Sequence, residues 1–306
     1  MYSIGIVGDV HIDTGVSSRR DNYFQTCLDK ISEVANNCKH IIFLGDLFNR
    51  ESLPSEYFYQ LYIHLNYLKN INGNVFYSII GNHDIPNENE KNLNKTTLGL
   101  CKLTGLLNLI EVHNPVNIEG INFYTSYVNL DKCREHLKTL KLNSNDVLLL
   151  HQYFEDGFPG IELEDIQDIG CSKIFLGHEH TPFMNFVKQI NDLSIYRCGS
   201  LVRNSANTSN LTRDIFYFTL DKDVNIIQLQ GANPASEVFT EKAYKQENLE
   251  RTYFIKNISE VIDKYTNNVS VQSKFSLKQV LEEIHTPDNC MQYINNIYKA
   301  INEVLL

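Results

Sequence analysis

The first third of the chain alternates between short apolar runs and longer segments in which apolar residues recur at helical spacing. The apolar runs lie at 2–9, 40–46 and 74–84, and each is typical of a buried strand. Between them, 21–37 and 55–70 place apolar residues every three or four positions, which predicts amphipathic helices. Strands and helices in this order predict an α/β fold, in which the helices pack on the outside of a sheet.

After Asn117 the pattern shifts toward strands. The strand-like runs lie at 121–128, 146–152 and 172–180. A short helix is predicted between the first two of them, at 131–140. Two hairpins are predicted next, at 183–200 and 213–230, and we expect the second one to turn at 221–223.

The last part of the chain differs in composition from the rest. Residues 231–250 are polar and predict a linker, and further helices are predicted at 276–284 and 291–306. The sequence therefore predicts two regions, a large domain at 1–230 and a small one at 231–306.

Charge and cysteine content narrow the possible functions. The formal net charge is −10, the wrong sign for a protein that binds nucleic acid alone, so any such binding needs divalent metals or a partner subunit. The sequence contains no run of eighteen apolar residues, so no membrane span is predicted. The first ten residues include Asp9 and no basic leader, so we expect no signal peptide. Seven cysteines without a Cys-x-x-Cys pair predict reduced thiols in a cytoplasmic protein.

Carboxylates, imidazoles and an amide follow five of the predicted strands. These residues are Asp9, His11, Asp46, Asn82, His83, Asp84, His151, His178 and His180. One Gly-Asp after a strand is usually a turn, and His151 alone is explained equally well by a position in the core. Five such strand ends, which carry half of the ten histidines, predict one shared site at the C-terminal edge of the sheet.

The chemistry of these groups indicates metal binding. Carboxylate, imidazole and amide ligands without thiolates suit Mn²⁺, Fe or Zn²⁺ better than Ca²⁺. Even seven of these nine groups are too many ligands for one tetrahedral ion. They suit two ions, with one carboxylate shared between them. A pair of metal ions is the arrangement that hydrolyses phosphoesters.

The series Asp-x-His, Gly-Asp, Gly-Asn-His, a lone His and Gly-His-x-His resembles the calcineurin-like metallophosphoesterase superfamily over residues 1–230. The resemblance implies a four-layer α/β/β/α sandwich. It also implies two metal sites, one held by Asp9, His11, Asp46 and His180 and the other by Asp46, Asn82, His151 and His178. Asp46 would bridge the ions. His83 would protonate the leaving oxygen, and Asp84 is assigned to the catalytic group with it.

Within the superfamily, four segments resemble the SbcD-type DNA double-strand-break repair nucleases. These segments are "GDVHID…RRDNYFQTCLDKI", "GDLFNRESLPSEYF", "LLLHQ" and "CGSLVR". The resemblance implies Mn²⁺-dependent DNA exonuclease and endonuclease activity in a repair or recombination complex, with an SbcC-type coiled-coil ATPase as partner and a homodimeric nuclease. Region 231–306 would be a small α/β cap with partner-docking helices. The compact chain is also similar to bacteriophage recombination nuclease subunits, which would work in a bacterial or host cytoplasm.

One position departs from this pattern. Three residues after Asp46, relatives often carry His or Asp, which supports the catalytic histidine, but here the residue is Asn49. An amide can orient an imidazole but cannot stabilise its charge. We therefore predict that Asn49 belongs to the catalytic group and that the pKa of His83 is lower than in relatives with Asp, provided that the two side chains touch.

Other interpretations remain open from the sequence. The enzyme could be a small-molecule phosphodiesterase or phosphatase of the same superfamily, with the part after residue 231 as a lid, or the chain could bind DNA ends without cutting them. Arg19 and Arg20 are either solvated or in contact with a DNA backbone. Arg203 either meets a phosphate or pairs with a carboxylate.

Overall fold

The computed structural model describes most of the first 243 residues. The described ranges are 2–15, 18–155, 158–206, 213–241 and 243. The chain divides into two units, Met1–Val238 and Phe239–Leu306. Nearly all of the second unit lies outside the described residues, as do the helices predicted at 276–284 and 291–306. The predicted boundary at 230 and the predicted cap therefore stay predictions.

Two six-stranded sheets form the centre of the first unit. In chain order the strands are β1 (Tyr2–Val7), β2 (Cys38–Phe43), β3 (Val75–Ser78), β4 (Asn108–Leu109), β5 (Val116–Ile118), β6 (Ile121–Thr125), β7 (Val147–His151), β8 (Lys173–Gly177), β9 (Val187–Ile190), β10 (Leu193–Tyr196), β11 (Phe216–Leu220) and β12 (Val224–Gln228). The first sheet has the order β12-β11-β1-β2-β3-β4, and the second has the order β5-β6-β7-β8-β10-β9.

Each sheet has parallel strands in its middle. In the first sheet, β1 to β4 are parallel, and β11 and β12 add an antiparallel edge. In the second, β6, β7, β8 and β10 are parallel, while β5 and β9 are antiparallel edges. The register Ile4↔His40 and Ile6↔Ile42 places alternate residues of β1 and β2 on the same face.

The helices lie along the connections between the strands. They are α1 (Tyr23–Asn37), α2 (Ser55–Asn72), α3 (Thr97–Leu103), α4 (Leu130–Thr139), α5 (Leu163–Ile166) and α6 (Ala235–Val238), with 3₁₀ turns at Pro86–Glu88 and Glu90–Lys95. The side chain of Asn22 accepts a hydrogen bond from the Gln25 amide and caps α1. Gly73, with a φ of 71°, ends α2 in the left-handed conformation that glycine adopts without strain. None of the helices in the described part is long and apolar enough to cross a bilayer.

Three apolar clusters separate four layers. Between the two sheets lie buried side chains from both, among them Ile4, Ile6, Ile42, Leu44, Phe123, Leu149, Phe175 and Phe218. A second cluster buries α1 and α2 on the first sheet, and a third buries α4 and α5 on the second. The predicted α/β sandwich with helices on its outer faces is confirmed.

Within the described ranges, the long predicted elements occur where the pattern places them. The hairpin of β11 and β12 turns at 221–223, as predicted. The short elements were not predicted from the sequence. They include β4 with two residues, β5 with three and α5 with four. Elements of this length contain about one turn of a helix or too few alternations of a strand to produce a pattern.

Candidate metal centre

The polar residues that follow the strands come together at one end of the two sheets. Asp9, Asp46 and Asn82 follow β1, β2 and β3, while His151 is the last residue of β7 and His178 follows β8. The strands β1 to β3 are parallel to one another, and so are β7 and β8. The C-terminal ends of each set therefore lie at one edge of their own sheet, which is where sites form in sheets of this kind, and the contact between Asp46 and His151 shows that the two edges meet.

The backbone of these loops is held in sparsely populated conformations. The amides of Val10 and His11 donate to the Asp46 carbonyl at 3.1 and 2.9 Å, which joins the loops after β1 and β2. His11, Asp46 and His178 have φ angles of 54°, 45° and 80°. Residues with a Cβ rarely adopt positive φ, and such strain concentrates at functional sites. Gly81 permits a further close approach, because a Cβ there would overlap the backbone nitrogen of Asp46.

The first cluster consists of Asp9, His11 and His180, whose ligand atoms all lie within 4.8 Å of one another. The Nε2 atoms of His11 and His180 are 2.9 Å apart. Asp9 Oδ2 lies 3.4 Å from His180 Nε2 and 3.9 Å from His11 Nε2. The cluster thus presents one carboxylate oxygen and two ring nitrogens to a common point.

The second cluster consists of Asp46, His151 and His178, again with ligand atoms within 4.8 Å of one another. Nε2 of His151 lies at its centre, 3.2 Å from both Asp46 Oδ2 and His178 Nδ1. The amide oxygen of Asn82 is 3.0 Å from the same nitrogen. Four predicted ligands therefore converge here.

Asp46 connects the two clusters. Its Oδ2 lies 3.7 Å from Nε2 of His11 and 3.2 Å from Nε2 of His151. Its Oδ1 accepts a hydrogen bond from the backbone amide of His83 at 2.8 Å, which fixes the carboxylate plane. This position suits a carboxylate shared by two metal ions.

The donors fit divalent cations. The Nδ1–H of His151 donates to the Leu44 carbonyl at 2.7 Å, so in the neutral ring Nε2 carries a lone pair. That lone pair faces the oxygens of Asp46 and Asn82, which are also acceptors. Among the described residues, Asp9 Oδ2 is buried without a hydrogen-bond partner. With His151 neutral, these acceptors face one another in a buried site, and a cation between them would satisfy them all.

The electrostatics of the site favour the ligand forms of most of these groups. Burial lowers the pKa of His11 to about 4, and burial together with the charge of His151 lowers the pKa of His178 to about 3. Burial opposes charge on Asp46, but the neighbouring histidines more than offset this and lower its pKa. Burial also disfavours charged His151, yet the Asp46 carboxylate raises its pKa to about 10. His11 and His178 are therefore neutral near pH 7 and Asp46 is charged, as metal binding requires, whereas His151 is protonated and has to release a proton before it can bind a metal ion.

His83 lies at the edge of the clusters, exposed to solvent. Its Nδ1–H donates to the carbonyl oxygen of Asn49 at 2.9 Å. Its ring packs edge-on against His11, with 4.8 Å between ring centroids. These contacts fix the ring by Nδ1 and leave Nε2 as the atom available for proton transfer.

The side chain of Asn49 does not make the contact with His83 that the sequence analysis considered. Its amide nitrogen instead donates to Asp13 Oδ2 at 2.7 Å, and only its backbone carbonyl meets the imidazole. A carbonyl at this place is supplied by any residue, so the prediction of a lower pKa for His83 loses its premise. The sequence analysis did not single out Asp13, whose only sequence signal is a carboxylate two residues after His11.

Asp84 faces away from the clusters. Its Oδ1 accepts a hydrogen bond from the Phe48 amide at 3.0 Å, and its Oδ2 accepts one from the Gly81 amide at 2.9 Å. Burial, followed by the charge of Asp46, raises its pKa to about 7. Asp84 thus ties the loop after β2 to the loop after β3, a positioning contact rather than a contact with the reacting atoms.

A cleft with a volume of about 300 Å³ opens beside the second cluster. It is lined by Asn82, Glu88, Val128, Leu130, His151, Gln152, Tyr153, Pro159 and His178. The cleft gives a substrate access to three of the predicted ligands and to the apolar wall next to them.

The arginines that the sequence left open have different environments. Arg19 is buried, forms an ion pair with Asp21 at 2.8 Å and donates to the Arg203 carbonyl, so the solvated interpretation is wrong for it. Arg20 is exposed. Arg203 is also buried, and its Nε donates to the Asn233 carbonyl at 3.2 Å.

Comparison with known proteins identifies the family of the chain. One solved crystal structure is similar over 74% of this chain and 98% of its own chain, at 11% identity and a TM-score of 0.46. Among curated proteins, none matches the chain. The family model described as calcineurin-like phosphoesterase matches residues 2–246. Because this match covers most of the chain, the protein belongs to the calcineurin-like phosphoesterase family.

Proposed function

We propose that the protein is a DNA nuclease that depends on two divalent metal ions, with exonuclease activity on duplex ends and endonuclease activity on single strands. The observation that carries the proposal is the convergence of two ligand clusters on Asp46, beside an exposed imidazole that is fixed by its Nδ1. Ions bound there would polarise the scissile phosphate and lower the pKa of water. A ligand set without thiolates supports Mn²⁺.

The residues around the clusters have separate tasks in this proposal. Protonated His83 holds a proton at Nε2 and delivers it to the departing sugar oxygen, while its Nδ1–H stays on the Asn49 carbonyl. The amide of Asn82 has its oxygen on His151, and its NH₂ group supplies a hydrogen-bond donor for a phosphate oxygen. The cleft beside His178 gives room for the nucleotide chain.

DNA as the substrate is supported by the resemblance of the site motifs to SbcD-type nucleases. We also propose that an SbcC-type coiled-coil ATPase supplies DNA affinity, since a chain with a net charge of −10 repels a polyanion at long range. The isolated chain should then cut DNA poorly and with strong sensitivity to salt. Tight binding of duplex DNA by the isolated chain at physiological salt would contradict the need for this partner.

The nuclease test uses end-labelled duplex and single-stranded DNA with Mn²⁺, and compares His83→Ala with His113→Ala. His113 is also exposed but lies outside the clusters. We expect the first variant to lower kcat about 10²- to 10⁴-fold while both ions stay bound, and the second to resemble wild type. Wild type that ignores DNA but hydrolyses a small phosphodiester would leave the metal site standing and indicate either the small-molecule enzyme or the need for the partner. Fewer than two ions per chain would indicate a DNA-binding subunit without activity.

A homodimer is proposed as the assembly, and the exposed face of α2 supports it. Tyr59, Ile63, Tyr67 and Ile71 recur every four residues, and each is at least half exposed. Four successive turns of exposed apolar side chains are typical of an interaction surface. Sedimentation should show a dimer for wild type and a monomer for Tyr67→Glu, while Met184→Glu, at an exposed position off this helix, should remain dimeric. Monomeric wild type would contradict the dimer.

A further inference from the structure

The loops after β1 and β2 continue side by side beyond the candidate metal ligands. The Ile12 amide donates to the Leu47 carbonyl at 2.8 Å, and the Asn49 amide donates to the Ile12 carbonyl at 3.1 Å. The two loops therefore act as a short extension of the parallel pair. At the far end of this extension, Nη2 of Arg50 lies 2.8 Å from Asp13 Oδ2.

Arg50 combines an exposed head with a buried anchor. Its side chain is 61% exposed, whereas that of Asp13 is 1% exposed. Asp13 is held in turn by the Asn49 side chain at 2.7 Å and by the Thr14 amide at 2.7 Å. A guanidinium has five N–H donors, and within the described residues Asp13 is the acceptor that Arg50 contacts. The remaining N–H donors of Arg50 thus face solvent, while the hydrogen bond from Nη2 to Asp13 holds the guanidinium in place.

The position of Arg50 relates it to the leaving group. The peptide unit that joins Asn49 to Arg50 carries the carbonyl that accepts the Nδ1–H of His83. The cation therefore lies on the same side of the clusters as the imidazole that would protonate the departing oxygen. In a polynucleotide the departing oxygen is attached to a sugar that carries another phosphate, while in a small phosphodiester it carries none.

We propose that Arg50 binds the phosphate that follows the scissile one on the leaving strand, so that the site favours a polynucleotide over an isolated phosphodiester. This inference rests on the proposed nuclease function. Arginine suits the task because its planar fork matches phosphate oxygens and its charge does not titrate. The anchor on Asp13 reduces the side-chain entropy that is lost when the phosphate binds.

The test measures kcat/KM with Mn²⁺ for a single-stranded oligonucleotide and for thymidine 5′-(p-nitrophenyl phosphate), which has one phosphate. In Arg50→Gln, the ratio of the first value to the second should fall about tenfold, the scale of one hydrogen bond to a charged group. The plot of log kcat/KM against log salt for the oligonucleotide should become shallower by about 0.7, the value for one lost phosphate contact. Arg50→Lys should keep the salt slope and recover part of the ratio.

Lys39→Gln is the matched control. The change removes the same charge, and Lys39 is also exposed and paired with one carboxylate, that of the half-exposed Glu119 at 3.0 Å, but Lys39 lies near the start of β2, at the opposite end of the sheet from the clusters. It should leave both the ratio and the salt slope at their wild-type values. Equal loss on both substrates with an unchanged slope in Arg50→Gln would overturn the inference and show that the side chain only stabilises the loop. An equal change of slope in Lys39→Gln would overturn it too.

The proposed function and this inference fail differently. If wild type cuts no oligonucleotide while it hydrolyses the one-phosphate substrate, the nuclease function itself is overturned, and the inference with it. If wild type cuts the oligonucleotide and Arg50→Gln keeps the wild-type ratio, only the inference is overturned.

Discussion

The two ligand clusters contain the same kinds of groups but differ in how those groups are supported. In the second cluster, the side chain of His151 is 1% exposed, and its Nδ1–H is held by the Leu44 carbonyl. In the first cluster, His11 Nδ1 and Asp9 Oδ2 are buried without hydrogen-bond partners among the described residues. The side chain of His180 is 32% exposed. The imidazole of His151 in the second cluster is thus braced through its second nitrogen, whereas the ring of His11 in the first cluster has no such hydrogen bond among the described residues.

This difference teaches how a dinuclear centre can divide its work. A histidine ligand whose second nitrogen is hydrogen-bonded has a fixed tautomer and ring orientation, so less order is lost when the metal binds. The second cluster should therefore hold the tighter ion. The first cluster, in which the ring of His11 lacks such a bond, should hold an ion that exchanges more readily.

The largest effect is expected where the clusters meet. Asp46→Asn keeps the shape of the side chain but removes the charge that both clusters share. We expect fewer than one ion per chain and a loss of activity of at least about 1,000-fold, which corresponds to about 4 kcal/mol in the barrier. Metal analysis by mass spectrometry and circular dichroism separate metal loss from unfolding. Asp192→Asn, at an exposed position, is the control, and two ions retained by Asp46→Asn would contradict a shared carboxylate.

A smaller effect separates the two clusters from each other. His180→Ala should lose the weaker ion and keep the tighter one, whereas His151→Ala should lose the tighter one. We expect the two wild-type affinities to differ about 10- to 100-fold, the range over which supporting contacts change metal affinity. Titration with Mn²⁺ in competition with a chelator measures both. Equal affinities in wild type, or a tight ion that survives in His151→Ala, would remove the distinction.

The comparison also shows what the sequence could predict. The elements that carry the ligands were predictable because β1, β2 and β7 are largely apolar runs that end in, or are followed within three residues by, a polar ligand candidate. Parallel pairing then places the ends of β1 and β2 together, but β7 belongs to the second sheet, and only the packing of the two sheets brings its end to theirs. β4 was not predictable, because its two residues pair with β3 only through the geometry of the finished sheet. The same holds for α5, which is a single turn.

Within the site, the ligand candidates were predictable and their supporting contacts were not. His151 stands out in the sequence as a strand-ending histidine, but its bond to the Leu44 carbonyl joins residues 107 positions apart. Asp13 is one of many carboxylates in the sequence, and only the pairing of two loops brings it to Asn49. Such contacts depend on tertiary packing, which a linear pattern does not encode.

The smallest effect is expected at Asn49. It tests whether the hydrogen bond from the Asn49 side chain to Asp13, called the brace below, supports the loop after β1 that carries His11. In Asn49→Asp, a second carboxylate would face Asp13 Oδ2 where the amide now donates at 2.7 Å, with Arg50 left to satisfy both. We expect a fall in the free energy of unfolding of about 1–3 kcal/mol, because a buried acceptor loses its donor and gains a like charge. The ion of the first cluster should weaken more than that of the second, since Asp13 follows His11 by two residues.

Urea unfolding and the same Mn²⁺ titration measure these two effects. Asn49→Ala is the control, because it removes the donor without adding charge and should cost about 1 kcal/mol. The pKa of His83, followed by NMR, distinguishes the two possible arrangements of this residue. If Asn49→Asp keeps wild-type stability and raises the pKa of His83, the new carboxylate has turned from Asp13 to the imidazole, and the brace is not what holds this loop. If stability falls and the pKa of His83 stays at its wild-type value, the backbone carbonyl alone orients the catalytic ring, and the loop after β1 depends on Asp13 for its support.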